Sequence, residues 1–133
     1  MRGILFTKVM ARIDSYKDLI VYQKAYGLSM EIFELSEEFP EKEKYSLTDQ
    51  IRRSSRSIVA CIAESWAKRL YVKVFVNKIT DSLGEEYETE VWLNYAFDCK
   101  YISASKYEYL SSGYVDVRRL LISMLKNPEK WCK

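Results

Sequence analysis

Four stretches of this chain repeat one apolar spacing, alternating steps of four and three residues, and that rhythm limits its fold more than any other feature. Val21, Ala25, Leu28, Ile32, Leu35 and Phe39 form the first set, and Leu47, Ile51, Ser54, Ile58, Cys61 and Ser65 the second. Val72, Val76, Ile79, Leu83, Glu86, Glu90, Leu93 and Phe97 form the third, and Tyr107, Leu110, Tyr114, Val117, Leu121 and Met124 the fourth. A 4,3 spacing lines one side of a helix, whereas a strand needs a period of two. With four Gly and two Pro in 133 residues, the chain lacks the turn chemistry of many short strands. The expectation is an all-α protein of one domain, folded as an antiparallel up-down-up-down four-helix bundle.

The punctuation supports the same division. Asp14 or Ser15 can cap a first helix running to Phe39, which Pro40 ends because it disfavours helical geometry in the preceding residue. Leu19, Tyr22, Tyr26 and Phe33 widen the apolar face of that helix until it can touch two neighbours, one of which can be another subunit. A second helix is predicted from Ser46, with its hydroxyl accepting from the Asp49 backbone, to about Ala67. A third runs from about Tyr71 to Lys100, and a fourth from Ser105, where Glu108 completes a capping-box spacing, to Asn127-Pro128. Residues 1–14 are expected to be a flexible N-terminal segment, 15–127 the bundle, and 128–133 a C-terminal tail in which Trp131 and Cys132 pack loosely. Met10 is a second candidate start, because the helical pattern begins only after Asp14. Gly27, Gly84 and Gly113 interrupt helices, each either a weak point or a place of close approach.

Composition excludes more than it assigns. The chain has no His, which removes the commonest metal ligand and the commonest general base at neutral pH. Glu64, Glu86 and Glu90 could otherwise suggest a carboxylate metal site, but a di-iron bundle site needs Glu-x-x-His pairs. No catalytic residue, metal or cofactor is therefore expected, and the protein is read as no enzyme. The three cysteines, Cys61, Cys99 and Cys132, are odd in number and widely spaced, which points to reduced thiols and a cytoplasmic location. The apolar patch Gly3 to Phe6 is too short for a signal-peptide core, and no run reaches membrane-spanning length.

The net charge is only +2, but it is unevenly placed. Lys42 to Lys73 holds eight basic and three acidic residues, and Asp81 to Lys100 one basic and six acidic. Arg52, Arg53 and Arg56, with Lys68 and Arg69, are the candidates for phosphate contact, since neighbouring guanidiniums on one helix can serve one surface. The competing expectation is that at least one of these arginines pairs with Glu86, Glu90 or Glu64 to hold helices or subunits together. Tyr45, Trp66 and Tyr71 lie beside the basic residues and could stack on bases, although aromatics at helical spacing more often fill cores and interfaces.

The second stretch also carries a resemblance. Tyr45, Leu47-Thr48-Asp49-Gln50-Ile51-Arg52-Arg53, Ser57-Ile58, Ala60 and Ile62-Ala63-Glu64 resemble the signature of the four-helix bundle proteins of 23S ribosomal RNA intervening sequences, the S23 ribosomal protein family. The flanks add Tyr16, Asp18-Leu19, Val21-Tyr22, Phe39-Pro40, Glu88-Thr89 and Tyr101-Ile102, so the likeness spans roughly Tyr16 to Leu125. Where the family shows Asn-Ile-Ala-Glu-Gly, this chain has Cys61-Ile62-Ala63-Glu64-Ser65. The resemblance implies a left-handed bundle assembled as a homopentamer. A relative, the accessory protein of diversity-generating retroelements, is similar in fold and binds nucleic acid and a reverse transcriptase through a basic surface. By that likeness the chain is expected to bind RNA or DNA backbone as a homo-oligomer. The alternative is a protein-interaction scaffold with no nucleic-acid role.

Overall fold

The structure, a computed structural model, describes residues 12–133. The predicted flexible segment lies outside the described residues as far as residue 11, as do the Gly3–Phe6 patch and Met10. Four long helices carry the fold: α1 (Ile20–Ser36), α2 (Asp49–Ala67), α3 (Val72–Asp98) and α4 (Ala104–Lys126). Short turns flank them, a 3-10 turn at Tyr16–Asp18, a 3-10 turn and a π turn across Glu41–Thr48, and a 3-10 turn at Pro128–Lys130. No strand occurs among the described residues.

Side-chain partners show the antiparallel arrangement. Along α2, Arg53 meets Glu85 and Glu88, the Ile58 carbonyl accepts from Ser82, and Glu64 meets Lys78, so partner numbers fall as α2 advances. α1 and α2 run oppositely as well, with Arg52 on Ser36 and Arg56 over Phe33. So do α3 and α4, through Asn94 with Tyr107 and Glu90 with Arg118, and α1 and α4, through Glu31 with Tyr109 and Lys24 with Asp116. Each helix therefore packs on the next, and the first on the last.

The helix ends differ from the predicted ones for local reasons. Ser15 and Asp18 form a reciprocal capping box, but it closes the 3-10 turn, and Leu19 in extended geometry delays α1 to Ile20. Ser46 does not cap α2. Its hydroxyl donates to the Glu43 carboxylate at 2.7 Å, while Glu43 also accepts from the Leu47 N–H and from Tyr101 Oη at 2.8 Å. The bonds from Ser46 and Tyr101 hold Glu43 below the usual carboxylate range, and they tie the α1–α2 connection to the α3–α4 connection. The cap of α4 lies two positions earlier than predicted, because Ser103 accepts from the Lys106 N–H and Ser105 falls inside the first turn. The C-terminal residues are not loose. Trp131 and Cys132 pack against the core, and the Lys133 N–H donates to the Arg69 carbonyl at 3.2 Å.

The interior follows the predicted seams in α1, α2 and α4, with Ala25, Ile32, Ile51, Ile58, Leu110 and Leu121 buried. In α3 the buried set is Phe75, Ile79, Ser82, Glu86, Thr89, Leu93 and Ala96, one position earlier than predicted at alternate steps. Ser82 and Thr89 belong inside because α2 supplies partners, the Ile58 carbonyl at 2.9 Å and the Ser54 hydroxyl at 2.8 Å. Gly113 is a close approach, since a Cβ there would lie 2.7 Å from a methyl of Leu28. Gly27 and Gly84 have open space instead, so nothing within the described chain requires them.

α3 ends in a Schellman motif, with the Tyr101 N–H donating to the Ala96 carbonyl at 2.8 Å and Lys100 in the left-handed region at φ 66°. A residue with a Cβ is strained there. Lys100→Gly is expected to stabilise the fold by about 1 kcal/mol, read as a rise of a few degrees in Tm. An unchanged or lower Tm would show that the strain is not borne at this residue.

Candidate nucleic-acid interface

α2 buries Ile51, Ser54, Ser55, Ile58, Val59, Ile62 and Ser65, which leaves Asp49, Arg53, Arg56 and Ala60 on the outer face. A shallow open groove there is lined by Asp49, Arg52, Arg53, Arg56, Ser57 and Ala60. The three guanidiniums share this groove but do different work. Arg52 is half-buried, donates from Nε to Ser36 Oγ at 2.7 Å and from a terminal nitrogen to the Phe33 carbonyl at 3.3 Å, and stacks on the Phe33 ring. It thus satisfies one carbonyl and one hydroxyl at the C-terminal end of α1, where the helix dipole favours a cation.

Arg53 is neutralised by two α3 carboxylates, Glu85 at 3.3 Å and Glu88 in a closer contact. Partial burial works against the charge of Glu88, but donation from Trp92 and Arg53 outweighs it and holds the carboxyl below its ordinary range. Arg56 is exposed, lies over the edge of the Phe33 contact at 5.6 Å, and makes no ion pair among the described residues.

Lys68 and Arg69 sit beyond the end of α2, about 18 Å along the axis from Arg56 at 1.5 Å per residue. The five predicted cations therefore form two groups rather than one cluster. Arg69 lies over Trp66, its guanidinium carbon 3.8 Å from the ring centroid, and donates to the Trp66 carbonyl at 2.8 Å. Lys68 is exposed, and neither residue has an ion-pair partner among the described residues.

Within the described residues of one chain, none of these arginines pairs with Glu64, Glu86 or Glu90. Glu64 pairs with Lys78 at 2.8 Å and Glu90 with Arg118 at 3.0 Å, both cations from other helices than α2. Glu86 is fully buried and takes no hydrogen bond in its ionised form. Burial first, then the proximity of Glu90, pushes its pKa up to about 9, with Arg118 acting in the opposite sense. Glu86 is thus a neutral acid at pH 7, able to donate to the Glu90 carboxylate. The sequence reading missed Arg118 and Lys78. A seam register one position earlier in α3 would have turned Glu85 and Glu88 toward α2 and Glu90 toward α4. Among the described residues, no group of three His, Cys, Asp or Glu is placed to hold a metal ion. No helix among them is long and apolar enough to cross a membrane.

A family model described as "23S rRNA-intervening sequence protein" matches residues 17–123, which spans all of α1, α2 and α3 and nearly all of α4. The chain belongs to this family. A solved structure from the S23 ribosomal protein family of Bacteroides thetaiotaomicron, itself titled as a protein of unknown function, is similar to it with a TM-score of 0.73. The two are 29% identical over 81% of this chain and 96% of that one. No curated protein matches. At the two positions where this family member departs from the motif, Ser65 is fully buried and donates to the Ile62 carbonyl at 2.7 Å, and α2 runs on to Ala67. Cys61 is half-buried, and burial raises its thiol pKa above the ordinary value.

Proposed function

We propose that this protein is a non-catalytic, cytoplasmic nucleic-acid-binding protein that contacts the phosphate backbone of RNA or DNA through the cations α2 leaves without acidic partners. The carrying observation is the separation of structural from unpaired cations. Arg52 and Arg53 are engaged by groups of α1 and α3, whereas Arg56, Lys68 and Arg69 keep their charge for solvent or a ligand. Membership in a family described by rRNA intervening sequences agrees with this reading. The contacts would be made to phosphates rather than base edges, because the groove at Arg56 is shallow and open.

Fluorescence anisotropy with a labelled 20-nucleotide RNA tests the reading. Affinity is expected to fall linearly with the logarithm of salt concentration. Arg56→Glu combined with Lys68→Glu should weaken binding at least about tenfold, while circular dichroism and Tm stay near those of the parent, since both side chains are exposed. Absence of binding at low salt by nuclease-treated protein would overturn the proposal.

The scaffold reading and the expected homo-oligomer rest on a second surface. Thr80, Gly84, Tyr87, Val91 and Tyr95 fall within about 80° of arc on α3, and the last three are exposed. An outward stripe of this kind, with an open glycine in it, suits packing against another copy or a partner protein. Homo-oligomerisation through it, as a pentamer by family resemblance, is proposed. A mass in solution that drops to that of one chain in Val91→Glu would support it.

A further inference from the structure

The corner between α2 and α3 gathers features that a backbone clamp does not need. Leu70 and Tyr71 are 64% and 67% exposed, and Val72 and Val74 beside them are exposed as well. Lys68, Arg69 and Lys73 lie in the same short segment, and the C-terminal turn brings Lys133 to it through the Lys133 to Arg69 backbone bond, with Lys130, its ammonium 5.4 Å from the Trp131 ring centroid, three residues earlier in that turn. None of these five cations has an ion-pair partner among the described residues.

The corner is also rigid. The Tyr71 N–H donates to the Lys68 carbonyl at 3.0 Å, and the Tyr71 carbonyl accepts the Phe75 N–H at 2.9 Å as α3 begins, so the Tyr71 backbone is fixed while its ring points out. Arg69 is held by its stack on Trp66, by its bond to the Trp66 carbonyl and by Lys133 on its own carbonyl. A guanidinium held over an indole, partly exposed and two residues from the exposed Tyr71, offers a second planar group with little side-chain entropy left to lose.

From these residues we propose that the corner is a single-strand binding site, in which unpaired bases stack on Tyr71 and on the Trp66-backed Arg69 while Lys68, Lys73 and Lys130 contact the flanking phosphates. The inference rests on the nucleic-acid reading above and specifies its ligand. Unpaired cations complement a phosphate chain, and planar groups reachable among them, Tyr71 exposed and Arg69 partly so, suit a strand whose base faces are free, which a duplex hides. Leu70 and Val72 could also serve a lipid surface, but Trp66 is partly buried under Arg69 and packed against the core, so it is not free to enter a membrane interface.

The test is anisotropy with a labelled 20-nucleotide oligouridine and a duplex RNA of equal length, on the parent chain, Tyr71→Ala and Arg69→Lys. The single strand is expected to bind at least about tenfold more tightly than the duplex. Each variant should lose about three- to tenfold on the single strand, and Tyr71→Ala, which removes no charge, should leave the duplex affinity unchanged. The salt slope should stay unchanged for the same reason. Equal binding of both RNAs with neither variant affected would overturn the single-strand site and leave the backbone reading standing. No binding of either RNA would overturn both. Binding to phosphatidylserine vesicles that Tyr71→Ala abolishes, with no RNA bound, would overturn the site and make the corner a membrane contact.

Discussion

Glu86→Gln is expected to make the protein more stable than the parent at pH 8 and to flatten the dependence of its stability on pH. Glu86 is fully buried in α3, facing Glu90 on its own helix and Tyr114 and Arg118 on α4, and its pKa rises to about 9. In the unfolded chain the same carboxyl titrates near 4.5. Below pH 4.5 both states hold the proton, and this group costs nothing. Between 4.5 and 9 the unfolded chain releases the proton while the folded one keeps it, so stability falls as pH rises, and the loss is complete once the folded pKa is passed. The slope is at most about 1.4 kcal/mol per pH unit, which makes about 4 kcal/mol between pH 5 and pH 8 an upper bound from this residue alone. Gln keeps the shape and a donor toward Glu90, and it cannot ionise. Urea unfolding followed by circular dichroism should therefore show parent and variant close together at pH 5 and separated by about 2–4 kcal/mol at pH 8 in favour of the variant. Parallel stability curves across that range would mean that Glu86 is solvated or paired in solution.

The reason Glu86 stands alone also explains what could be read from the sequence. The 4,3 rhythm identified four helices and most of their buried residues, because a bundle seam repeats whatever the identity of its neighbours. In α3 two apolar registers overlap, and the rhythm alone could not choose between them. Val72, Val76 and Leu83 suggested one phase, yet Ser82 and Thr89 are buried, because the Ile58 carbonyl and the Ser54 hydroxyl satisfy them across the interface with α2. That one-position change decides which carboxylates face which helix. It sends Glu85 and Glu88 to Arg53, sends Glu90 to Arg118, and leaves Glu86, common to both registers, in the interior. The basic residues of the candidate site were legible as a charge run. Their division into Arg52 and Arg53, used by the bundle, and Arg56, Lys68 and Arg69, unpaired, was not, since it depends on where the end of α1 and the carboxylates of α3 come to lie.

Among the ion pairs, Glu90 with Arg118 is expected to matter most, and Arg118→Met should cost about 2–4 kcal/mol at pH 7. One Arg118 nitrogen lies 3.0 and 3.3 Å from the two Glu90 oxygens, and the side chains are 28% and 30% exposed, so water screens the pair only in part. Without the guanidinium, the Glu90 carboxylate stays half-buried beside a second carboxyl with no cation from α4. The same charge holds the Glu86 pKa down, so its loss pushes Glu86 further above 9; the slope between pH 5 and pH 8, where folded Glu86 already keeps its proton, stays the same, and the fall in stability extends further above pH 9. Arg53→Met makes the contrast, because Arg53 is half exposed and its removal should cost under about 1 kcal/mol although it meets two carboxylates. A double-mutant cycle with Glu90→Gln separates charge from packing. If the ion pair carries the effect, Arg118→Met in the Glu90→Gln background should cost at least about 1.5 kcal/mol less than in the parent. Equal costs in both backgrounds would assign the role of Arg118 to its aliphatic stem, packed between α3 and α4.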